Sequence, residues 1–316
     1  MKLLDITYDA FGLNINDSSI KIIKLEKSGN KFYVASFGSL DLNPGIVQSG
    51  IIKDEKALAD AIKLSLSRVR GKKIRTKYAI LSLPEEESFL QVIQMPKMSG
   101  KDLKSAIVFE AENYIPLPIE EVYLDFQQIL PMENGLDHID VLLAATRKKA
   151  VDSYIACVKA AGLLPLAAEV ESQSISRALI KNEVAESPII LIDIDKSGAN
   201  FIIFSGRSIR FTYSIPQLDA TELVKQIKKH INFYYEHASH EHLSGEEKIE
   251  KIILSGAETD VKKIADFLAE KLSIAVEMGD VFSNLALKRK NNKGVDFLAY
   301  AGAMGLALDI INIKKQ

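Results

Sequence analysis

Two stretches of this sequence share one pattern: an apolar strand runs into a short polar turn and continues as a second strand. The first stretch covers residues 11–25, with its turn at Asn16 and Asp17, and the second covers 189–204, with its turn at Asp195 and Lys196. Asn and Asp tolerate the positive φ that a tight hairpin requires. A fold with an internal duplication produces such a pair, so the sequence predicts two copies of one structural unit.

The rest of the chain alternates strands with helices, which predicts an α/β protein with helices packed on sheets. With 316 residues and 47% apolar residues, two lobes are the natural expectation. The predicted first lobe is 1–187, with its core at 1–84 and 164–187 and an inserted α+β subdomain at 85–163. The predicted second lobe is 188–316 and ends in a closing helix at 296–310. The predicted helices are 55–70, 99–115, 148–161, 172–181, 221–237, 259–272 and 297–308.

Composition excludes several classes of function. The net charge of −2 gives no bulk attraction to nucleic acid or anionic lipid. The single cysteine, Cys157, sits in an apolar helical stretch and is predicted to be core. No apolar run reaches signal-peptide length at the N-terminus, and the longest run, 297–308, is shorter than the roughly 20 residues of a membrane span. We therefore expect a cytoplasmic protein with a buried closing helix and no direct membrane insertion.

The two hairpin turns are the candidate binding site. Backbone N–H groups in such turns can hold phosphate oxygens, and a carboxylate at the end of the strand can hold a metal through water. A carboxylate inside the turn repels phosphate, whereas lysine attracts it. From the residues alone, ordinary structural hairpins and a nucleotide site both remain open. The candidates in the two turns are Asn14, Asn16, Asp17, Ser18, Ser19, Lys21, Asp193, Asp195, Lys196, Ser197 and Gly198.

A third candidate segment is a strand, a glycine and a helix start at Gly256, Ala257 and Glu258, which could place a backbone N–H beside an adenine or a sugar. A plain strand-to-helix turn looks the same. Three histidines, His237, His240 and His242, are close in sequence, but their polar neighbours indicate a solvated turn rather than zinc ligands. We predict no metal-binding residue and no catalytic residue, since no hydrolase elbow, P-loop or dinucleotide fingerprint occurs.

Several motifs resemble one family, that of PilM, the actin-like cytoplasmic assembly protein of type IV pili, which is related to the cell-division protein FtsA. The resemblance covers nearly the whole chain and is most specific in the inserted subdomain. The matching segments are MPKMSGKDL at 95–103, EVYLDF at 121–126, VES at 170–172, LSG at 254–256 and YAGAMGLA at 300–307.

The resemblance implies an actin-like (Hsp70/actin/FtsA) ATPase fold with two lobes, ATP and Mg²⁺ as cofactors in the cleft, and Gln226 and Lys229 on a helix beside the sugar. The departures from the family lie in this cleft. Relatives usually carry Asp-Ile-Gly in both turns, where this chain has Asn14-Ile15-Asn16 and Asp193-Ile194-Asp195. Gln226 also stands where relatives often have Glu. The loss of glycines and carboxylates together predicts weak or absent ATP binding and favours a protein without catalytic turnover.

The resemblance also implies a partner. Proteins of this family bind the short cytoplasmic tail of the inner-membrane protein PilN near the inserted subdomain, which predicts a peripheral location at the inner membrane. Other pilus assembly proteins or a second copy of the chain are further candidate partners. The alternatives left open are a working Mg-ATPase of a pilus or type II secretion machine and an FtsA-like division protein. The FtsA family ends in an amphipathic membrane helix, for which residues 310–316 are too short.

Overall fold

The computed structural model of the protein describes residues 9–29, 31–132, 136–216, 219–238, 248–285 and 295–312. The strands among these residues are β1 (Ala10–Ile15), β2 (Ser19–Ser28), β3 (Lys31–Asp41), β4 (Val47–Gln48), β5 (Ile51–Ile52), β6 (Arg70–Gly71), β7 (Tyr78–Leu83), β8 (Ser88–Pro96), β9 (Val122–Gln128), β10 (His138–Arg147), β11 (Leu164–Val170), β12 (Ala185–Ile194), β13 (Gly198–Gly206), β14 (Ser208–Pro216), β15 (Lys251–Gly256) and β16 (Ala275–Met278). The α-helices are α1 (Glu55–Ser67), α2 (Gly100–Tyr114), α3 (Lys148–Ala160), α4 (Glu171–Leu179), α5 (Ala220–Ala238), α6 (Glu258–Leu272) and α7 (Ala301–Asn312).

The chain forms two compact units. The first unit contains Met1–Pro84, Ala150–Asn182 and Asp280–Gln316, and the second contains Glu85–Lys149 and Glu183–Gly279. The predicted lobes, 1–187 and 188–316, group these segments differently, and their boundaries stay a prediction.

The first unit is built on a six-stranded sheet with the order β11-β7-β1-β2-β3-β6. β1, β2 and β3 form an antiparallel meander, and β7 runs parallel to β1. Because side chains of a strand alternate between faces, Phe11 of β1 shares one apolar cluster with Leu58 of α1 and Tyr154 of α3. On the opposite face, Ala10 of β1 packs with Leu306 of α7. The sheet is therefore covered by helices on both faces.

Close packing of α7 brings α4 to the edge of the candidate site. A side chain at Gly305 of α7 would collide with the backbone oxygen of Ser174 in α4, so only glycine allows this approach. Arg177 of α4 donates to the carbonyl oxygen of Gly305 at 3.2 Å and forms a two-pronged ion pair with Glu169. The small residues of the apolar run at 297–308 thus have the packing role that the sequence predicts.

The second unit contains a five-stranded sheet with the order β14-β13-β12-β15-β16. β12, β13 and β14 form an antiparallel meander, and β15 runs parallel to β12. The first sheet has the same arrangement in β1, β2, β3 and β7, so the duplication predicted from the two hairpins is confirmed. β14 is an addition to the prediction, which passes from the second hairpin directly to α5.

The inserted segment forms a separate three-stranded antiparallel sheet with the order β8-β10-β9, and α2 covers one face of it. Ser99 caps α2 by accepting the N–H of Asp102 at 3.4 Å, as its sequence position predicts. Within the second unit, the insert is tied to β14, because Ser214 donates to Glu86 at 2.8 Å. The polar stretch 288–293 lies outside the described residues.

Candidate functional site

The first hairpin turn closes on a side chain of its own. The Oδ1 atom of Asn16 accepts the N–H of Ser18 at 3.1 Å and the N–H of Ser19 at 2.8 Å. The hydroxyl groups of both serines also donate to this oxygen, at 3.2 and 3.1 Å. Asn16 therefore binds the two backbone donors of the turn itself, in the manner of an Asx-turn.

The second hairpin turn repeats this geometry with a carboxylate. The Oδ1 atom of Asp195 accepts the N–H of Ser197 at 2.7 Å and the N–H of Gly198 at 3.0 Å, together with the hydroxyl group of Ser197. Asn16 and Asp195 stand at the positions where the family resemblance implies glycine. Each substituted side chain thus accepts the N–H groups that a bound phosphate would need.

Asp17 has a structural role, because its carboxylate binds a neighbouring loop. Its carboxylate accepts the N–H of Ser49 at 2.5 Å and the N–H of Gly50 at 2.9 Å. Both donors belong to the tight β4–β5 turn, where Ser49 and Gly50 have φ values of 50° and 73°. The negative charge that would repel a phosphate is therefore used to fix this turn.

Asn14 is the penultimate residue of β1 and lies on the face that α7 covers, and only 2% of its surface is exposed. Its Nδ2 group donates to Glu171 Oε1 at 2.6 Å and to Ser82 Oγ at 3.1 Å. A carboxylate oxygen can only accept, so the orientation of the amide follows from its partner. Glu171 begins α4 and Ser82 lies on β7, so Asn14 joins three elements of the first unit.

Asp193 occupies the equivalent place on β12 of the second unit. Ser255 of β15 donates its hydroxyl proton to Asp193 Oδ1 at 2.5 Å, as a counterpart of the Asn14 and Ser82 pair. Sequence reasoning missed both serines and Glu171. A signal for the serines was present, because each occupies the same place near the end of the strand parallel to the hairpin, at Leu81-Ser82-Leu83 and Leu254-Ser255-Gly256.

The remaining candidates have structural explanations of their own. Gly256 has a φ of 125°, and a Cβ there would collide with the carbonyl oxygen of Ile194, so the close strand approach explains this glycine. Ala257 is the residue before α6. Glu258 starts α6, and its side chain lies outside the described part of the structure. Gln226 donates along its own helix to Glu222 at 3.1 Å.

The three lysine candidates supply partly or fully exposed positive charge. Lys21 lies on β2 directly opposite Asn14, and Lys196 lies within the second turn. Lys229 lies on the solvent-facing side of α5. The structure places Asn14, Asn16 to Ser19 and Lys21 together in the first unit, and Asp193 to Gly198 together with Gly256 in the second.

These residues do not fit tightly held Mg-ATP. The N–H groups of both turns already have acceptors in Asn16 and Asp195, and displacing them costs hydrogen bonds before any phosphate contact forms. At the strand end, Asn14 directs N–H donors at Glu171, whereas Mg²⁺ requires oxygen ligands. Among the described residues, no group of three or more His, Cys, Asp or Glu side chains could hold a metal ion. His240 and His242 lie outside those residues, as does the side chain of His237.

The insert carries the most exposed large apolar side chain described. Phe109 of α2 is 75% exposed, and its neighbour Val108 is also exposed. Tyr114 at the end of the same helix and Tyr123 on β9 add exposed aromatic surface, and β9 is an edge strand of its sheet. Tyr123 therefore lies on an edge strand of the kind that can take up an extended peptide, and Val108 and Phe109 form an exposed apolar surface on α2. In the described parts of the chain, no helix combines the length and apolarity required to cross a bilayer.

The chain resembles proteins of known structure and family. Residues 12–218 match the family model described as type IV pilus assembly protein PilM. A structure of a PilM-PilN type IV pilus biogenesis complex is similar, with 23% identity over 96% of this chain and 99% of that chain and a TM-score of 0.79. The ethanolamine utilization protein EutJ from Carboxydothermus hydrogenoformans is 12% identical over 94% of this chain and 88% of that chain, with a TM-score of 0.50. These matches confirm the predicted actin-like fold class.

Proposed function

The chain belongs to the family of the type IV pilus assembly protein PilM, and from this membership we propose that it is a pilus-assembly scaffold whose partner binding does not require ATP. Its partner is the cytoplasmic tail of a PilN-like inner-membrane protein, which holds it at the inner membrane. The similar structure of a PilM-PilN complex supports this choice of partner.

One observation carries the independence from ATP. Asn16 and Asp195 stand where the family resemblance implies glycine, and each side-chain oxygen accepts two backbone N–H groups of its own turn. A phosphate oxygen would have to displace these acceptors and, at the second turn, approach a carboxylate. The turns therefore keep their shape without a nucleotide, and ATP binds weakly or not at all.

We place the tail on the insert, where Phe109 and Tyr123 are exposed. An extended apolar peptide can bury its side chains against the exposed apolar face of α2, where Phe109 follows Val108. Aromatic residues of this kind contribute most to binding at such interfaces, each with an effect of about 2 kcal/mol or more.

Fluorescence anisotropy with a labelled synthetic peptide of the PilN-like tail, titrated with the full chain, tests this proposal. Phe109→Ser is expected to weaken binding at least about tenfold, since 1.4 kcal/mol corresponds to a factor of ten. Phe233→Ser is the matched control, because Phe233 is an aromatic residue of α5 that is 44% exposed and lies outside the insert. Unchanged affinity in Phe109→Ser would exclude this surface, and no binding by the wild-type chain would exclude the partner.

A further inference from the structure

We propose that the amide of Asn14 does in this chain what a divalent cation does between two carboxylates: it stabilises the oxygen of Glu171, here by donating a hydrogen bond, and ties β1 to α4. The actin-like fold implies a magnesium ion. In this chain the Nδ2 group of Asn14, a hydrogen-bond donor, occupies the position of that ion. This inference concerns the first unit alone and does not rest on the proposed partner or on its binding surface.

The pair is buried and its contact is short. Asn14 and Glu171 are 2% and 6% exposed, and Nδ2 lies 2.6 Å from Oε1. A buried carboxylate is costly unless charge or hydrogen bonds compensate it. Gly302 of α7 adjoins the same amide, since a Cβ there would lie 3.0 Å from Nδ2. The low exposure of Asn14 and Glu171 keeps the pair away from bulk water.

The family resemblance implies aspartate at position 14, and the Val-Glu-Ser segment that contains Glu171 is one of the matching segments of this chain. An aspartate in the place of Asn14 would set a second carboxylate oxygen about where Nδ2 is now, facing Oε1. Two carboxylates at this distance cannot both stay ionised without a cation or a shared proton. Adjacent ligand oxygens of an octahedral Mg²⁺ site with bonds of about 2.1 Å lie about 3.0 Å apart. The pair therefore needs only a small adjustment to become one edge of a cation site.

Ser82 completes the comparison. Its hydroxyl group accepts from the same Nδ2 at 3.1 Å, so it could supply a third oxygen to a cation in that position. The wild-type chain replaces all these oxygen-to-metal contacts by two N–H donations from one amide. The consequence is a strand-to-helix connection that is complete in the absence of metal.

Thermal unfolding of the full chain tests the inference. The melting temperature is measured in EDTA, in about 1 mM Mg²⁺ and in about 1 mM Mn²⁺. The wild-type melting temperature is expected to be the same in all three buffers. Asn14→Asp is expected to melt about 5 °C lower in EDTA and to recover in Mn²⁺, with one Mn²⁺ bound per chain by electron paramagnetic resonance. A metal-dependent wild-type melting temperature, or an Asn14→Asp variant that behaves like the wild type in EDTA, would overturn the proposal.

The double variant Asn14→Asp, Glu171→Gln keeps the test decisive if the single variant does not fold. It exchanges the carboxylate and the amide, so one donor again meets one charged acceptor, and we expect wild-type stability without a metal response. Loss of folding in the double variant, or a response to Mn²⁺, would contradict the proposal. Asp193→Asn is the control in the second unit, where the partner is the hydroxyl group of Ser255, and its melting temperature should not respond to metal. A failure of these variants leaves tail binding by the insert unaffected, so the two proposals are tested separately.

Discussion

Removal of the acceptor at Asn16 should loosen the first turn by an amount that the structure defines. In Asn16→Ala, two backbone N–H groups, those of Ser18 and Ser19, lose their acceptor. At about 0.5 to 1.5 kcal/mol for each net hydrogen bond, the turn should lose about 1 to 3 kcal/mol. Ser18 is only partly buried and its hydroxyl group can turn to water, whereas Ser19 is buried, so the loss of its hydroxyl contact adds to this figure. Asn16 does not have a positive φ, so alanine introduces no backbone strain.

Amide hydrogen exchange reports this loss at the two serines directly. A loss of 1 to 3 kcal/mol corresponds to exchange that is about 5 to 150 times faster at Ser18 and Ser19, if they exchange through local opening. Asn16→Asp keeps the Oδ1 acceptor and should exchange like the wild type. Equal exchange rates in Asn16→Ala and the wild type, or equally fast exchange in Asn16→Ala and Asn16→Asp, would refute the argument that this side chain closes the turn.

Three further predictions concern stability and reactivity. Arg177→Ala should destabilise the first unit by about 1.5 to 3 kcal/mol in denaturant unfolding, because it removes both guanidinium hydrogen bonds from the largely buried carboxylate of Glu169; a loss below 1 kcal/mol would contradict this. Lys72 lowers the pKa of Glu26, so Glu26 adds stability above its unfolded pKa and loses it as the pH falls through the folded pKa. Lys72→Met should therefore reduce the loss of stability in acid, and an identical pH profile would exclude the pair. Burial raises the pKa of Cys157 to about 11, so Ellman's reagent at pH 8 should label it only after unfolding, and rapid labelling of the native chain would contradict its burial.

Much of the fold follows from patterns local in sequence. The helices predicted at 55–70, 221–237 and 259–272 are found as α1 (Glu55–Ser67), α5 (Ala220–Ala238) and α6 (Glu258–Leu272), because periodic apolar positions and caps such as Asp54 define them. Strand β14 was missed although Ile209, Phe211, Tyr213 and Ile215 alternate with polar residues. The two-residue strands β4, β5 and β6 are too short to show a periodic pattern. β4 and β5 pair with each other around a tight turn, and β6 pairs with the distant strand β3.

The candidate site shows the same division between local and distant contacts. Asn16 and Asp195 accept N–H groups from residues two and three positions ahead. Such local hydrogen bonds can be predicted from sequence, because they follow from the chemistry of the side chain. The contact of Asn14 with Glu171 joins residues 157 positions apart. No pattern in one sequence indicates such a pair. The contact forms because α7 brings α4 against the end of β1.

The affinity for the PilN-like tail with and without nucleotide tests the central claim most directly. Calorimetric titration of the tail peptide into the full chain, once in EDTA and once in about 1 mM Mg-ATP, compares the two states under otherwise equal conditions. We predict dissociation constants that agree within about twofold, a difference of less than about 0.5 kcal/mol. Binding that appears only with Mg-ATP, or that becomes tenfold tighter with it, would contradict a scaffold whose partner binding is independent of ATP.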